Sequence, residues 1–202
     1  MGLLDLISGS KGLRKPKQIR HQSKTLWDIL EAHKNHFLGK AGGKRADLRE
    51  ADLRLADLRH ANLTGAILEG ARLEGANLQQ AKLTHASMAG AQLHGADLRN
   101  TDMTEADLRG ADLSEAQASG VEFFRCDLSN TDFRRANLRN ANFRSADIKG
   151  AQFAGADMGV TILRETNLEG VDLSGVDLTT TLLPKGYTPP VGPAATRQPQ
   201  GS

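Results

Sequence analysis

The sequence predicts an all-β solenoid, in which short extended segments separated by turns coil around one apolar axis. From Ala46 to Lys185 the chain divides into 28 pentapeptides without an insertion. The third position of every pentapeptide is apolar, with leucine at nineteen of the 28, and the first is always Ala, Thr, Val or Cys. Positions one and three point to the same side of an extended segment. If each pentapeptide then turns, both positions face the axis and form a dry interior.

The five-residue period excludes the two common elements for this region. On an α-helix, five residues advance the side chain by about 140° beyond a full turn, so the leucines would form no buried stripe. On a flat strand, successive side chains alternate faces, so an odd period would place every second leucine in solvent. A repeated extension and turn is the arrangement that keeps all the leucines inside.

The repeat "ADLREADLRLADLRHANLTG", which begins at Ala46, follows the pattern A-[D/N]-L-x-x. This pattern resembles the pentapeptide-repeat family over residues 46–185. The resemblance implies a right-handed quadrilateral β-helix with four pentapeptides per coil, about seven coils, and residues i and i+20 stacked on one another. Phe133 should then stack on Phe153, and Phe123 on Phe143. The core is expected to include Leu48, Leu53, Leu58, Leu63, Phe123, Phe133, Phe143 and Phe153.

Residues 25–45 are predicted to be a capping helix and a linker that close the N-terminal end of the coil. Thr25 with Asp28 forms a capping-box pattern, and Gly39 is a helix stop, which favours a helix over residues 26–38. Leu26, Ile29, Leu30, His33 and Phe37 share one face of that helix, and Trp27 is expected to contribute. Openings similar to "LEAH…GGKRADL" occur in bacterial members of the family that the repeat resembles.

The two termini are predicted to be unstructured. Residues 1–24 read as a flexible basic arm that could dock on a protein, a membrane surface or nucleic acid. Residues 186–202 contain most of the prolines and read as a disordered tail, while Leu182, Leu183 and Tyr187 could fold over the last coil. Failing that, two rods could meet end to end there as a homodimer. The arm residues of interest are Leu3, Leu4, Leu6, Ile7, Arg14, Lys15, Lys17 and Arg20.

Nothing in the sequence suggests catalysis. The single cysteine, Cys126, excludes an intrachain disulfide and favours a reducing, cytoplasmic location. Six histidines are scattered, and the pair His33 and His36 lacks a third ligand, so no metal or other cofactor is expected. The sequence contains no run of eighteen apolar residues, so no membrane-spanning helix is predicted. An unbroken rod also offers no cleft for a small-molecule substrate.

Function is therefore expected on the surface, as a protein-interaction or scaffold module. Phe124 breaks the polar rule of the fourth position, and several arginines lie near it in the repeat register. An exposed aromatic ring with arginine is typical of interfaces, and the simpler alternative is a lone ring covered by an arginine. The predicted partner-binding residues are Phe124, Arg125, Arg134, Arg135, Arg139, Arg144, Ile162 and Arg164.

The alternative is a DNA mimic that binds DNA gyrase or topoisomerase, as in the quinolone-resistance branch of the family that the repeat resembles. Duplex DNA as long as the predicted rod carries about 20 charges at one per ~1.7 Å. Residues 46–185 carry a net charge of −6, with fifteen cations interspersed. Direct nucleic-acid binding is less favoured still. The basic arm of residues 1–24 lacks interleaved aromatics, and the acidic body would repel the nucleic-acid backbone.

Overall fold

The computed structural model describes residues 12–188, which form a β-helix with a cap at its N-terminal end. The repeats begin at Ala46, immediately after the cap and a short linker. The elements of the cap are a 3-10 turn at Pro16–Gln18, the strands β1 (Arg20–His21) and β2 (Lys24–Thr25), which pair as an antiparallel hairpin, and the helix α1 (Leu26–Phe37).

The coil has a register of twenty residues. Parallel bridges join residues twenty apart, from Asp47 with Ile67 to Ile162 with Leu182. In the first coils the third-position N–H donates to the second-position carbonyl one coil further on, as in the 2.7 Å bond from Leu48 N to Ile67 O. Each pentapeptide turns at its fourth and fifth positions, which gives four faces. We number the faces from residues 46–50, and each continues every twenty residues. The total of about seven coils stays a prediction.

Left-handed backbone at the fifth position makes each corner. Glycine adopts it readily, as at Gly65 (φ 63°), and other residues adopt it as well, as at Glu50 (φ 55°). Val160 has φ 59°, although a β-branched residue is an outlier in this region. The corner geometry therefore explains the frequent glycine of the repeat and identifies Val160 as a strained position.

The interior is a continuous column of third-position side chains. Leu48, Leu53, Leu58 and Leu63 are fully buried, as are the four phenylalanines. The rings of Phe133 and Phe153 stack at 5.2 Å, and those of Phe123 and Phe143 lie 4.9 Å apart. Edge-to-face contacts connect the two stacks, for example between Phe123 and Phe133 at 5.7 Å. This geometry is favourable for aromatic rings and adds to the hydrophobic burial.

Polar first positions are satisfied inside the coil by one recurring bond. The Thr101 hydroxyl donates to the Leu78 carbonyl at 2.8 Å, a separation of 23 residues. The Cys126 thiol makes the corresponding contact with the Met103 carbonyl, also at 2.8 Å. Because a buried hydroxyl without a partner would be costly, this bond explains why Thr and Cys can replace Ala there. The same bond recurs at Thr131, Thr161, Thr166 and Thr181.

The prediction of a flexible arm over residues 1–24 is wrong for residues 12–24, because these residues pack on the first coil. Arg14 N donates to Leu55 O at 2.7 Å, and Asp57 N donates to Arg14 O at 2.9 Å, so this segment pairs with the lower edge of the coil. Ile19 is fully buried in the core. Burial of this side chain and satisfaction of the coil edge offset the entropy of ordering the segment. Leu3, Leu4, Leu6 and Ile7 lie outside the described residues.

Helix α1 closes the N-terminal end. The capping box is present, since the Thr25 hydroxyl accepts from Asp28 N and the Asp28 carboxylate accepts from Thr25 N. Leu26, Ile29 and His33 are buried, and His33 Nδ1 accepts a 3.0 Å bond from Ala46 N, which ties the helix to the first repeat. The expectation that Phe37 and Trp27 contribute to the buried face is wrong. Both are about half exposed, because the coil end is already covered.

The C-terminal end is less well closed. Ile162 still pairs with Leu182, but the other three faces of the last coil make no backbone hydrogen bonds with the coil before it among residues 12–188. The inward residues Val171, Val176 and Leu178 are only partly buried. Leu183 and Tyr187 pack against the core, so residues 186–188 are part of the folded end rather than of a disordered tail. The remainder of that predicted tail, residues 189–202, lies outside the described residues.

Candidate functional site

Charge on the rod is neutralised locally by the repeat itself. In a pentapeptide of the form A-D-L-R, the second-position aspartate and the fourth-position arginine point to the same side and form a fork. Arg49 donates to both carboxylate oxygens of Asp47 at 3.0 and 2.5 Å, which lowers the pKa of Asp47 to about 2. The same fork recurs as Asp52 with Arg54, Asp57 with Arg59, Asp97 with Arg99, Asp107 with Arg109, and Asp132 with Arg134.

The structure separates the predicted partner-binding residues into two groups. Phe124, Arg125, Arg144, Ile162 and Arg164 all lie on the fourth face, as the bridges Glu122–Asn142 and Asn142–Ile162 require. The other three arginines are on the second and third faces and are paired there. They are Arg134 with Asp132 at 2.6 Å, Arg135 with Glu115 at 3.4 Å, and Arg139 with Asp157 at 3.3 Å. The predicted band is therefore not one surface.

Phe124 is the centre of the group on the fourth face. Its ring is half-buried, and the Arg125 guanidinium lies 4.8 Å from the ring centroid. Arg125 also forms an ion pair with Glu105 at 3.6 Å. The cation–π contact and the ion pair hold the arginine over the ring in an exposed position. The Phe124 ring and the Arg125 guanidinium together form a small surface that is apolar on one side and cationic on the other.

Arg144 and Arg164 continue this surface towards the C-terminal end. Arg144 donates to both carboxylate oxygens of Glu165, at 2.9 and 2.6 Å, and the Ser145 hydroxyl adds a third bond to that carboxylate at 3.1 Å. These contacts lower the pKa of Glu165. Arg164 has no ion-pair partner within residues 12–188. Of the three arginines on the fourth face, Arg125 and Arg144 are paired with glutamates, so Arg164 supplies the unpaired cation of this surface among residues 12–188.

An apolar edge adjoins these arginines, and one of its members, Val160, was missed by sequence reasoning about the site. Val160 is 44% exposed at the corner leading into the fourth face, and Leu182 is 40% exposed beyond Ile162. The signal was available, because valine occupies a fifth position where the repeat usually has glycine or a polar residue. We call the set Phe124, Arg125, Arg144, Val160, Ile162, Arg164 and Leu182 the Phe124 patch.

Each of the four predicted arm cations within the described residues has a partner, in the first coil, in the cap or in its own segment. Lys15 Nζ lies 2.6 Å from Asp57, and Arg14 lies 3.5 Å from Asp52. Lys17 lies 5.1 Å from the ring centroid of Trp27. Arg20 donates to the Ser23 carbonyl at 2.9 Å. These four side chains stabilise the packed N-terminal segment.

The described residues contain no group of side chains typical of a catalytic site or a metal site. No cluster of three or more His, Cys, Asp or Glu side chains that could hold a metal ion occurs between residues 12 and 188. Burial raises the pKa of the Cys126 thiol to about 12, so this sulfur is not a nucleophile at neutral pH. In the same part of the chain, no helix has the length and apolarity needed to cross a membrane.

Comparison with known proteins agrees with the architecture. The family model described as pentapeptide repeats (8 copies) matches residues 44–84 and 76–115, and the pentapeptide repeat region model matches residues 102–178. No curated protein matches the chain. Similar solved structures include HetL, a pentapeptide repeat protein involved in heterocyst differentiation regulation from the cyanobacterium Nostoc sp. Strain PCC 7120. It is 27% identical over 70% of this chain and 82% of its own, with a TM-score of 0.47.

Two further structures are more distant. Rfr23 from the cyanobacterium Cyanothece 51142 is 22% identical over 63% of this chain and 64% of its own, with a TM-score of 0.31. QnrB1, a plasmid-mediated fluoroquinolone resistance protein, is 24% identical over 68% of this chain and 76% of its own, with a TM-score of 0.31. The two family models together span residues 44–178, which is most of the chain. The chain therefore belongs to the pentapeptide-repeat family, whose members form right-handed β-helices.

Proposed function

We propose that this protein is a non-catalytic protein-interaction module and that the Phe124 patch is its partner-binding surface. The observation that supports the proposal is the coincidence of exposed apolar side chains with arginine on one face. Val160, Ile162 and Leu182 adjoin Arg144 and Arg164, whereas the outward positions elsewhere on the rod are mostly polar. Aromatic residues and arginine are enriched among the residues that dominate binding energy in interfaces.

The strained corner at Val160 adds independent support. A non-glycine, β-branched residue with φ 59° is costly, and here its side chain is also 44% exposed, so the fold gains little from it. A residue that strains the backbone and remains in solvent is readily explained if a partner covers it. Leu55 on the second face has the same geometry, with φ 55° and 37% exposure. The neighbouring Arg14 and Arg54 are both paired with Asp52, and Leu55 serves as the comparison position.

The DNA-mimic alternative is less favoured. A mimic must present carboxylates to a surface that normally binds phosphates, but the aspartates of the A-D-L-R repeats are each covered by a guanidinium of the same pentapeptide. A coil advances ~4.8 Å, over which duplex DNA presents about three charges. The net charge of −6 spread over 28 pentapeptides does not approach that density.

A second candidate role concerns the C-terminal end, where two rods could pair end to end as a homodimer. Val171, Val176 and Leu178 face inward in the last coil but remain partly exposed, and this observation favours association there. Light scattering of the purified chain would distinguish the states. A mass twice that of the 21.7 kDa chain supports pairing, and a monomer at high protein concentration contradicts it.

The patch is tested by quantitative affinity capture from a host lysate with three baits. These are the parent chain, a patch variant (Phe124→Ser with Val160→Ser), and a control variant (Leu55→Ser with Arg134→Ser). We expect one or more proteins to be captured by the parent and the control, and to fall by about tenfold or more with the patch variant. Equal capture by all three baits would show that the partner binds elsewhere. Melting curves of the three baits establish that each is folded.

A further inference from the structure

A polar cavity of about 100 Å³ lies where the β1–β2 hairpin, helix α1 and the start of the first repeat meet. It is lined by the hairpin residues 21–24, by Ile29 and Ala32 of the helix, and by Lys44, Arg45 and Asp47. On the same measure of volume, one water molecule needs roughly 10–15 Å³. The cavity therefore has room for one tetrahedral oxyanion.

The cavity has an excess of positive charge. Lys24, Lys44 and Arg45 line it, and none of them has a carboxylate partner within residues 12–188. Asp47 is the one acidic residue in the lining, and its carboxylate is occupied by the Arg49 fork, with oxygen–nitrogen distances of 3.0 and 2.5 Å. The lining thus carries three exposed basic residues beside a carboxylate that is already neutralised, and the Arg45 Nε atom donates to the Gly65 carbonyl. This contrasts with the rod, where most arginines are paired.

One buried polar atom in the lining also lacks a hydrogen-bond partner among the described residues. His21 borders the cavity, and its Nε2 atom is buried with no hydrogen-bond partner among the described residues. A buried imidazole nitrogen without a partner is unfavourable. An oxyanion in the cavity could accept a hydrogen bond from the N–H form of this nitrogen while pairing with the lysine and arginine side chains.

We propose that this cavity is a binding site for a phosphoryl or similarly sized tetrahedral oxyanion, held by His21, Lys24, Lys44 and Arg45. The site is independent of the Phe124 patch, which lies on the fourth face. The ligand joins the hairpin, the helix and the first repeat, so binding stabilises the cap relative to the unfolded chain.

Calorimetric titration with inorganic phosphate at constant ionic strength tests the site on the full chain. We expect saturable binding with one site per chain, a melting temperature that rises with phosphate, and no saturable heat with sodium chloride. O-phosphoserine is the second ligand. If it binds as phosphate does, the site accepts a phosphoryl group attached to a larger molecule, and if only phosphate binds, the site takes the free anion.

Two variants that each lose two positive charges show whether phosphate binds in the cavity. Lys24→Gln with Lys44→Gln removes two cations from the lining, and we expect phosphate affinity to fall by about tenfold or more, as for lost charge-assisted hydrogen bonds. Lys40→Gln with Lys82→Gln removes the same charge from outside the cavity and should leave the affinity unchanged. No saturable binding to the parent chain, or equal weakening in both variants, would overturn the proposal.

Discussion

The two ends of the β-helix differ in how the apolar side chains of the terminal coil are covered. At the N-terminal end, Ile19, Leu26 and His33 come from outside the repeat and are buried with the third-position leucines of the first coil, which are at most 1% exposed. At the C-terminal end, the last coil is made of the same repeat, yet Val176 and Leu178 remain partly exposed and three of its faces make no backbone bonds to the preceding coil among the described residues. A repeat that buries its leucines against neighbours buries those of its last copy less completely, because no further coil follows within residues 12–188. Leu168 and Leu173 are 7% exposed, whereas Leu48 and Leu53 are 0% exposed.

The difference shows where the stability of a solenoid arises. Interior coils gain from contacts on both sides, whereas a terminal coil depends on whatever covers it. The cap is consequently an added structure with its own sequence rules, including a capping box, a buried histidine and a close glycine contact. Substitutions of one kind, placed at the two ends, should therefore have unequal effects.

Truncating a leucine to alanine is expected to give the largest difference in stability loss between the two ends. Leu48→Ala removes a fully buried side chain beneath the cap and should lower the free energy of unfolding by about 2–5 kcal/mol. Leu178→Ala, in the partly exposed last coil, should cost less than about half as much, since part of that side chain is already in solvent. Urea unfolding of both variants measures the pair, and equal losses would contradict an open C-terminal end.

A glycine in the cap linker gives the next largest effect. A Cβ at Gly43 would lie 2.5 Å from His36 N and 2.6 Å from His36 Cα, so Gly43→Ala must displace the end of helix α1. We expect a loss of on the order of 1–3 kcal/mol, as in other overpacked sites. Gly170→Ala is the comparison at the other end, where the new Cβ meets nothing within 4 Å. There the positive φ of 71° alone should cost about 1 kcal/mol.

Acid should loosen the N-terminal end in particular. Burial lowers the pKa of His33 below 6.5, with smaller contributions of the same sign from His36 and Arg45. The unfolded chain then binds more protons than the folded chain once the pH falls below that ordinary value, so stability decreases with falling pH until His33 is protonated in the folded state. Amide exchange measured between pH 7.5 and 5.5, and corrected for the intrinsic pH dependence of exchange, should show protection factors in residues 26–37 that fall with falling pH. His33→Gln should flatten this pH dependence, and a dependence that persists in the variant would assign it to other groups.

The smallest effect is expected for the inward threonines. Thr131→Ala restores the most common residue of the repeat but removes the 2.9 Å bond to the Leu108 carbonyl, and should cost about 1 kcal/mol. Thr181→Ala removes the corresponding bond to Met158 from the partly exposed last coil and should cost less. Thermal unfolding of both variants measures the difference. A stabilised Thr131→Ala would show that the bond contributes nothing beyond satisfying its own hydroxyl.

Sequence reasoning predicted the repeat region well because each pentapeptide specifies its own turn and its own buried positions. The helix α1 was predictable for a similar reason, since Thr25 and Asp28 are a local signal. The packing of residues 12–24 was not predictable, because it depends on contacts such as Arg14 with Leu55 that are distant in the chain and follow no period. The candidate site was predicted in part. The twenty-residue register alone would have placed Arg134 and Arg139 away from Phe124.

Amide hydrogen exchange at equivalent positions of the two ends tests the difference between them most directly. Near the N-terminal end, the N–H groups of Leu48, Leu53 and Leu58 donate to carbonyls one coil further on, at 2.7 to 2.8 Å. The corresponding N–H groups of Ile148, Phe153 and Met158 have no such acceptor in residues 12–188. The structure predicts strong protection for the first three and fast exchange for the second three. Equal protection at both sets would show that the last coil is closed, and would contradict the difference between a covered N-terminal end and an open C-terminal one.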